Sequence, residues 1–163
     1  MKISTRARYA LRLMMDIALN NDDGRPVQLK EVSARQGISE SYLEQIAIFL
    51  KRESLIKGVS GRYGGYLISK NPEDIRVGDI IEAALGPINV VDCVLDPEAC
   101  NRSEFCECRD IYTRINDRIA EVLDDFTLAD IVKSRKKYSR KLSAQESCTD
   151  CSQRDLCSSN FGK

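Results

Sequence analysis

The chain has 163 residues, 25 Lys/Arg against 25 Asp/Glu, seven cysteines and no histidine. That length holds one domain or two small ones. With no histidine, no nucleophile–base pair and no dinucleotide fingerprint, the sequence argues against an enzyme. Met1 to Arg12 alternates charge with apolar residues, which predicts neither a signal peptide nor a membrane span and places the protein in the cytoplasm.

The zero net charge hides an asymmetry. Residues 1–70 carry twelve Lys/Arg against seven Asp/Glu, and residues 71–163 carry thirteen against eighteen. A basic head on an acidic body suits a protein that docks one end onto phosphate.

Thr5 to about Leu19 reads as a helix, because Tyr9, Ala10, Leu13, Met14, Ile17 and Ala18 recur at helical spacing. Arg6, Arg8 and Arg12 stay available near its start. Residues 20–26 form a turn by composition. A second helix runs from about Leu29 to Gln36 and ends at Gly37, where a left-handed conformation can close it. The third starts at Ser39 or at Ser41, the latter forming a capping box with Glu44. Its buried side is Leu43, Ile46, Ala47 and Leu50. Two short helices joined at Gly37 fit a helix-turn-helix, with Ser39, Ser41, Tyr42, Glu44 and Gln45 as DNA-binding residues on the exposed start of the second. Glutamine can pair with adenine and glutamate can accept from the cytosine amino group. An ordinary helical hairpin with a solvated face has the same spacing.

The next segment favours the DNA reader. Residues 55–60 and 66–69 are β-compatible runs around a glycine-rich tip, Gly61-Arg62-Tyr63-Gly64-Gly65. A hairpin directly after a recognition helix is the wing of a winged helix, and Arg62 at its tip could enter a narrow minor groove. The predicted fold class is therefore mainly α with a small β-hairpin: a winged helix-turn-helix head, residues 1–70, followed by a long dimerisation helix.

Residues 71–74 read as a linker, and a helix near Val77–Leu85 stops at Gly86-Pro87. Beyond a loop at 92–108 comes a helix from about Asp110 to Asp125, on the order of 25 Å long. Its stripe of Ile111, Ile115, Ile119, Val122 and Phe126 would pair two copies, matching the two-fold symmetry of most operators. Single-chain packing is the other use of such a stripe. Thr127 and Asp130 predict the capping box of a last helix through about Tyr138, ending in Lys133, Arg135, Lys136 and Lys137. Residues 71–138 form the second region. Residues 139–163 read as a polar, mobile tail, where Cys148, Cys151 and Cys157 could bind metal but lack an obvious fourth ligand.

The remaining cysteines, Cys93, Cys100, Cys106 and Cys108, crowd into the polar loop at 92–108. Soft thiolates suit zinc, copper(I) or iron–sulfur clusters. Zinc usually shows tight Cys-x-x-Cys pairs, and this loop contains none. A bare thiol switch, with cysteines near Arg102 or Arg109 oxidising to a disulfide, is a further alternative.

Tyr9-Ala10, Gly37-Ile38-Ser39, Ser41-Tyr42-Leu43-Glu44-Gln45, Gly64-Gly65-Tyr66 and the cysteine loop before a long helix resemble the Rrf-two family of bacterial transcription regulators, which includes IscR and NsrR types. The similarity covers about residues 1–138. It implies a homodimeric winged-helix repressor of palindromic double-stranded DNA. Operator binding would follow an iron–sulfur cluster, 2Fe-2S or 4Fe-4S, sensing cluster supply, redox state or nitric oxide. It also implies Cys93, Cys100 and Cys106 as metal ligands. One branch places a histidine where this chain has Arg109. Cys108 is the substitute fourth ligand here, and Asp16 is the one acid on helix one, the helix from which other branches draw a partner's ligand. The alternative within the same fold is a cluster-free regulator controlled by thiol oxidation or by a partner protein, of a cysteine-metabolism type.

Overall fold

The computed structural model describes residues 3–21 and 24–146, with side chains through Tyr138. In chain order these are α1 (Thr5–Leu19), α2 (Leu29–Gln36), α3 (Glu40–Arg52), β1 (Ile56–Val59), β2 (Gly65–Ile68), α4 (Val77–Leu85), α5 (Arg109–Asp124) and α6 (Leu128–Glu146). Short 3-10 turns occupy Pro72–Asp74, Asp92–Val94, Pro97–Ala99 and Ser103–Phe105. Residues through Val132 form one compact unit, and the remainder of α6 belongs to a second.

Helix α1 starts because the Ser4 hydroxyl accepts from the Ala7 amide at 3.2 Å, satisfying one of the first unpaired donors. Its apolar spacing buries Ala7, Ala10, Leu13, Met14 and Ile17. Gly37 closes α2 with φ 63°, as its position predicted. The start of α3 differs from one of the two expectations. Ser39 is the extended cap residue and Ser41 lies inside the helix, so no Ser41–Glu44 capping box forms. The Leu43 amide donates to the Ser39 carbonyl at 3.1 Å, so the first helical turn already closes on Ser39. Leu43, Ile46, Ala47 and Leu50 then point into the core. Each large aliphatic among them contributes roughly 1.5–3 kcal/mol relative to exposure.

The wing is an antiparallel pair running from Ile56 opposite Ile68 to Val59 opposite Gly65. Val27, in the segment after the turn predicted at 20–26, supplies a third rung: its amide donates to the Tyr66 carbonyl at 2.9 Å and its carbonyl accepts from the Tyr66 amide at 2.8 Å. This close approach requires Gly65, where a Cβ would sit 2.5 Å from the Val27 carbonyl oxygen. The hairpin is thereby hydrogen-bonded to the chain that enters α2.

The expected linker at 71–74 is instead a 3-10 turn capped by the Asn71 side chain, which accepts from the Glu73 amide at 3.2 Å. Helix α4 packs on α1 and α3. The Val77 amide donates to the Phe126 carbonyl and the Leu128 amide to the Ile75 carbonyl, both at 2.9 Å, so the end of α5 is tied to the start of α4. The Thr127–Asp130 box forms as predicted: the Thr127 amide donates to the Asp130 carboxylate at 3.1 Å and the Asp130 amide to the Thr127 hydroxyl at 3.2 Å. Helix α6 does not stop near Tyr138 but continues to Glu146, so the basic run is mid-helix and cannot complement a helix end. Among the described residues no helix is long and apolar enough to cross a membrane. Cys148, Cys151 and Cys157 lie outside the described residues.

Candidate nucleic-acid interface and cysteine loop

Burial of one side of α3 leaves the opposite side free. Ser39, Ser41, Glu44 and Gln45 are exposed, and Tyr42 is half-buried with its ring edge-on to Tyr9 at 5.8 Å. Arg62 is exposed at the wing tip, its guanidinium 5.7 Å from the Tyr63 ring. The six residues expected to meet DNA thus lie at two places, the start of α3 and the wing tip, five of them exposed and Tyr42 half-buried.

The arginines of α1 are less free than the sequence implied. Arg12 Nε donates to the Gln36 side-chain oxygen at 3.0 Å, and its Nη2 donates to the Gln36 carbonyl. Arg6 lies over the Phe49 ring at 5.4 Å, with Arg52 5.6 Å from the same ring. Cation–π contacts of this kind hold both guanidiniums beside α3.

Asp16 was legible only as the one acid of α1. The structure places it at 2% exposure, its carboxylate accepting from Arg35 Nη2 at 2.6 Å, Arg35 Nε at 3.0 Å and Gln36 Nε2 at 2.7 Å. The Asp16 hydrogen bond holds Arg35 above the ordinary guanidinium range. A carboxylate consumed in this way is not accessible to a metal, which removes it as a ligand donated across a dimer. Its work is to clamp α2 against α1. Spacing gave no sign of this, because Asp16 and Arg35 are 19 residues apart.

Cys93, Cys100 and Cys106 are half-buried, Cys108 is exposed, and all four are free thiols. They fall on and between the successive 3-10 turns of the loop, with Cys108 immediately ahead of α5. The loop and the segment just before it are each tied to that helix. Arg109 Nε donates to the Cys93 carbonyl at 3.1 Å, and buried Asn116 accepts from the Val90 amide at 3.1 Å. Among the described residues no three His, Cys, Asp or Glu side chains are gathered closely enough to hold a metal ion. The donor set itself fits a soft centre, since three part-accessible thiols share one loop; the turns as folded do not bring them together.

Along α5 the expected apolar stripe is uncovered. Ile111, Ile115, Val122 and Phe126 are 41–57% exposed. With Ile81, Leu85 and Ile88, three of these residues, Ile111, Ile115 and Val122, border an open apolar groove of about 990 Å³.

The Rrf2 family, described as an iron-dependent transcriptional regulator, matches residues 3–134. This chain belongs to that family. It is similar to the transcriptional regulator CymR of Bacillus subtilis, 39% identical over 131 residues, which cover 80% of this chain and 89% of the relative. IscR of Pectobacterium atrosepticum is 36% identical over 136 residues, 83% of this chain and 82% of that one. The solved structure of CymR, the global cysteine regulator of B. subtilis, aligns with a TM-score of 0.67 at 36% identity, over 82% of this chain and 98% of its own. The Rrf2 assignment makes this chain a winged-helix transcription regulator and not an enzyme. In this Rrf2 regulator the α1–α2 clamp, the Val27 rung and the α4–α5 ties join reading head, wing and cysteine loop in one unit through residue 132.

Proposed function

We propose that this Rrf2 regulator is a cytoplasmic, homodimeric repressor that binds palindromic duplex DNA through two winged heads, with binding set by an iron–sulfur cluster at the cysteine loop. Ser39, Ser41, Tyr42, Glu44 and Gln45 of each α3 would face the major groove, and Arg62 of each wing the minor groove. Cys93, Cys100 and Cys106 would hold the cluster, with Cys108 as the candidate fourth donor. When bound, such a group supplies redox chemistry tuned by its ligands and its exposure.

The observation that carries the reading is the attachment of the loop to the uncovered helix. The Arg109–Cys93 bond, with the Asn116–Val90 bond just before the loop, would let a reordering of 92–108 act on α5, and the ties between α4 and α5 and the packing of α4 on α1 would pass it toward the head. Half-sites lie one helical turn apart, so a shift of a few ångströms between two heads weakens their simultaneous fit. Such coupling requires two conformations that differ in their affinity for the cluster and for DNA.

A second reading keeps the same head and replaces the cluster with thiol oxidation or a partner protein. It is favoured by the four ungathered thiols and by the likeness to a regulator described as a global cysteine regulator. Anaerobic purification separates the two. The cluster reading expects stoichiometric iron and sulfide and a visible absorption band that is lost in Cys93→Ala, Cys100→Ala and Cys106→Ala. Colourless protein whose DNA affinity is the same before and after reconstitution refutes it.

A further inference from the structure

The exposed side of α3 contains one residue that does not match its neighbours. Ile48 is 66% exposed and continues the row of Ser41, Glu44 and Gln45. At about 100° per residue, Glu44 and Gln45 diverge by about 100° around the helix, and Ile48, one turn further on, falls between them. It therefore occupies the middle of the face that the buried Leu43, Ile46, Ala47 and Leu50 direct outward. A lone exposed aliphatic is ordinary on a protein surface. At this position, however, a β-branched side chain is a weaker helix former than the long polar residues around it, and facing water it gains nothing from its hydrocarbon.

The major groove offers one apolar feature to such a side chain, the 5-methyl group of thymine. We propose that Ile48 is a specificity-determining residue that packs on a thymine methyl in each half-site. The inference rests on the reading of α3 as the recognition helix. Ile48 lies about 5 Å further along the axis than Glu44 and Gln45. Its thymine is then about one to two base pairs from the bases those residues meet, at about 3.4 Å per step. Glu44 and Gln45 supply polar discrimination, and Ile48 supplies discrimination that hydrogen bonding cannot.

The test uses the full-length wild-type chain and duplexes it enriches from a random double-stranded library. In the enriched duplex each thymine is replaced singly by deoxyuridine, which removes the methyl and leaves every hydrogen-bonding group. One thymine per half-site should lose about fourfold in affinity on replacement, and both together about fifteenfold, the scale of one methyl-sized apolar contact per half-site. Ile48→Ser should bind thymine and deoxyuridine duplexes equally, whereas Ile48→Val should keep most of the difference. Circular dichroism melts of both variants should match wild type, because the side chain is exposed. If no thymine is methyl-sensitive, or Ile48→Ser retains the full deoxyuridine penalty, Ile48 does not read thymine. Failure to enrich any duplex would refute the assignment of α3 itself and this inference with it.

Discussion

Replacing Asp16 with alanine removes the acceptor on which α1 and α2 converge. The carboxylate's shortest hydrogen bonds come from Arg35 Nη2, Arg35 Nε and Gln36 Nε2, all within 3.0 Å, with a longer one from Asn20 Nδ2 at 3.3 Å. Removing one member of a fully buried pair costs about 3–5 kcal/mol, because the survivor is stranded as an unpaired charge. Arg35 is not stranded: its side chain is 37% exposed, and its Nη1 lies 3.8 Å from Glu31, so it can turn to water. Gln36 likewise keeps its bonds to Arg12. The loss is then that of a charge-assisted interaction, about 2–3 kcal/mol. For a chain of this size it should lower the melting temperature by roughly 5–10 °C. Urea titration followed by circular dichroism gives the free energy, and a double-mutant cycle with Arg35→Ala isolates the pair, expected at about 1–2 kcal/mol. Asp16→Ala within about 0.5 kcal/mol of wild type would refute the clamp, since surface-like substitutions fall in that range. Arg35 adds no pH dependence near neutrality. Arg35 is raised, so its contribution is complete below the ordinary guanidinium range and is lost only as pH rises through the higher folded value.

Two further substitutions test the wing and the uncovered helix. Gly65→Ala forces a Cβ against the Val27 backbone and should break the rung to Tyr66, at a cost of about 2–3 kcal/mol, with weaker DNA binding read by fluorescence anisotropy. Ile115→Glu places a carboxylate in the α5 stripe and should weaken the proposed homodimer by about 1–3 kcal/mol per subunit, detected by sedimentation equilibrium while helical content is unchanged. A dimer of unaltered affinity would show that α5 is not the interface.

Much of the reading head could be followed along the chain because its signals are local. Helices α1, α2 and α4 begin and end where spacing, Gly37 and Gly86-Pro87 place them. The Thr127–Asp130 box needs only residues three apart. The stripe on α5 was equally readable, since an apolar residue every three or four positions has a fixed consequence for one helical face. Ser39 and Ser41 competed as starts of α3 because both are good cap residues. The structure starts the helix at Glu40 with Ser39 as cap, a choice that two equally good local signals left open.

The sequence by itself determined a winged-helix reader joined to a cysteine loop and an apolar helix, because caps, breakers and periodicity act over a few residues. Only the tertiary structure decided that Asp16 belongs to a clamp with Arg35 and Gln36, that Val27 extends the wing, and that Ile48 stands on the exposed face of α3. These depend on which segments meet after collapse. A carboxylate is free or clamped according to the guanidinium that reaches it, and an isoleucine is core or surface according to the face left uncovered.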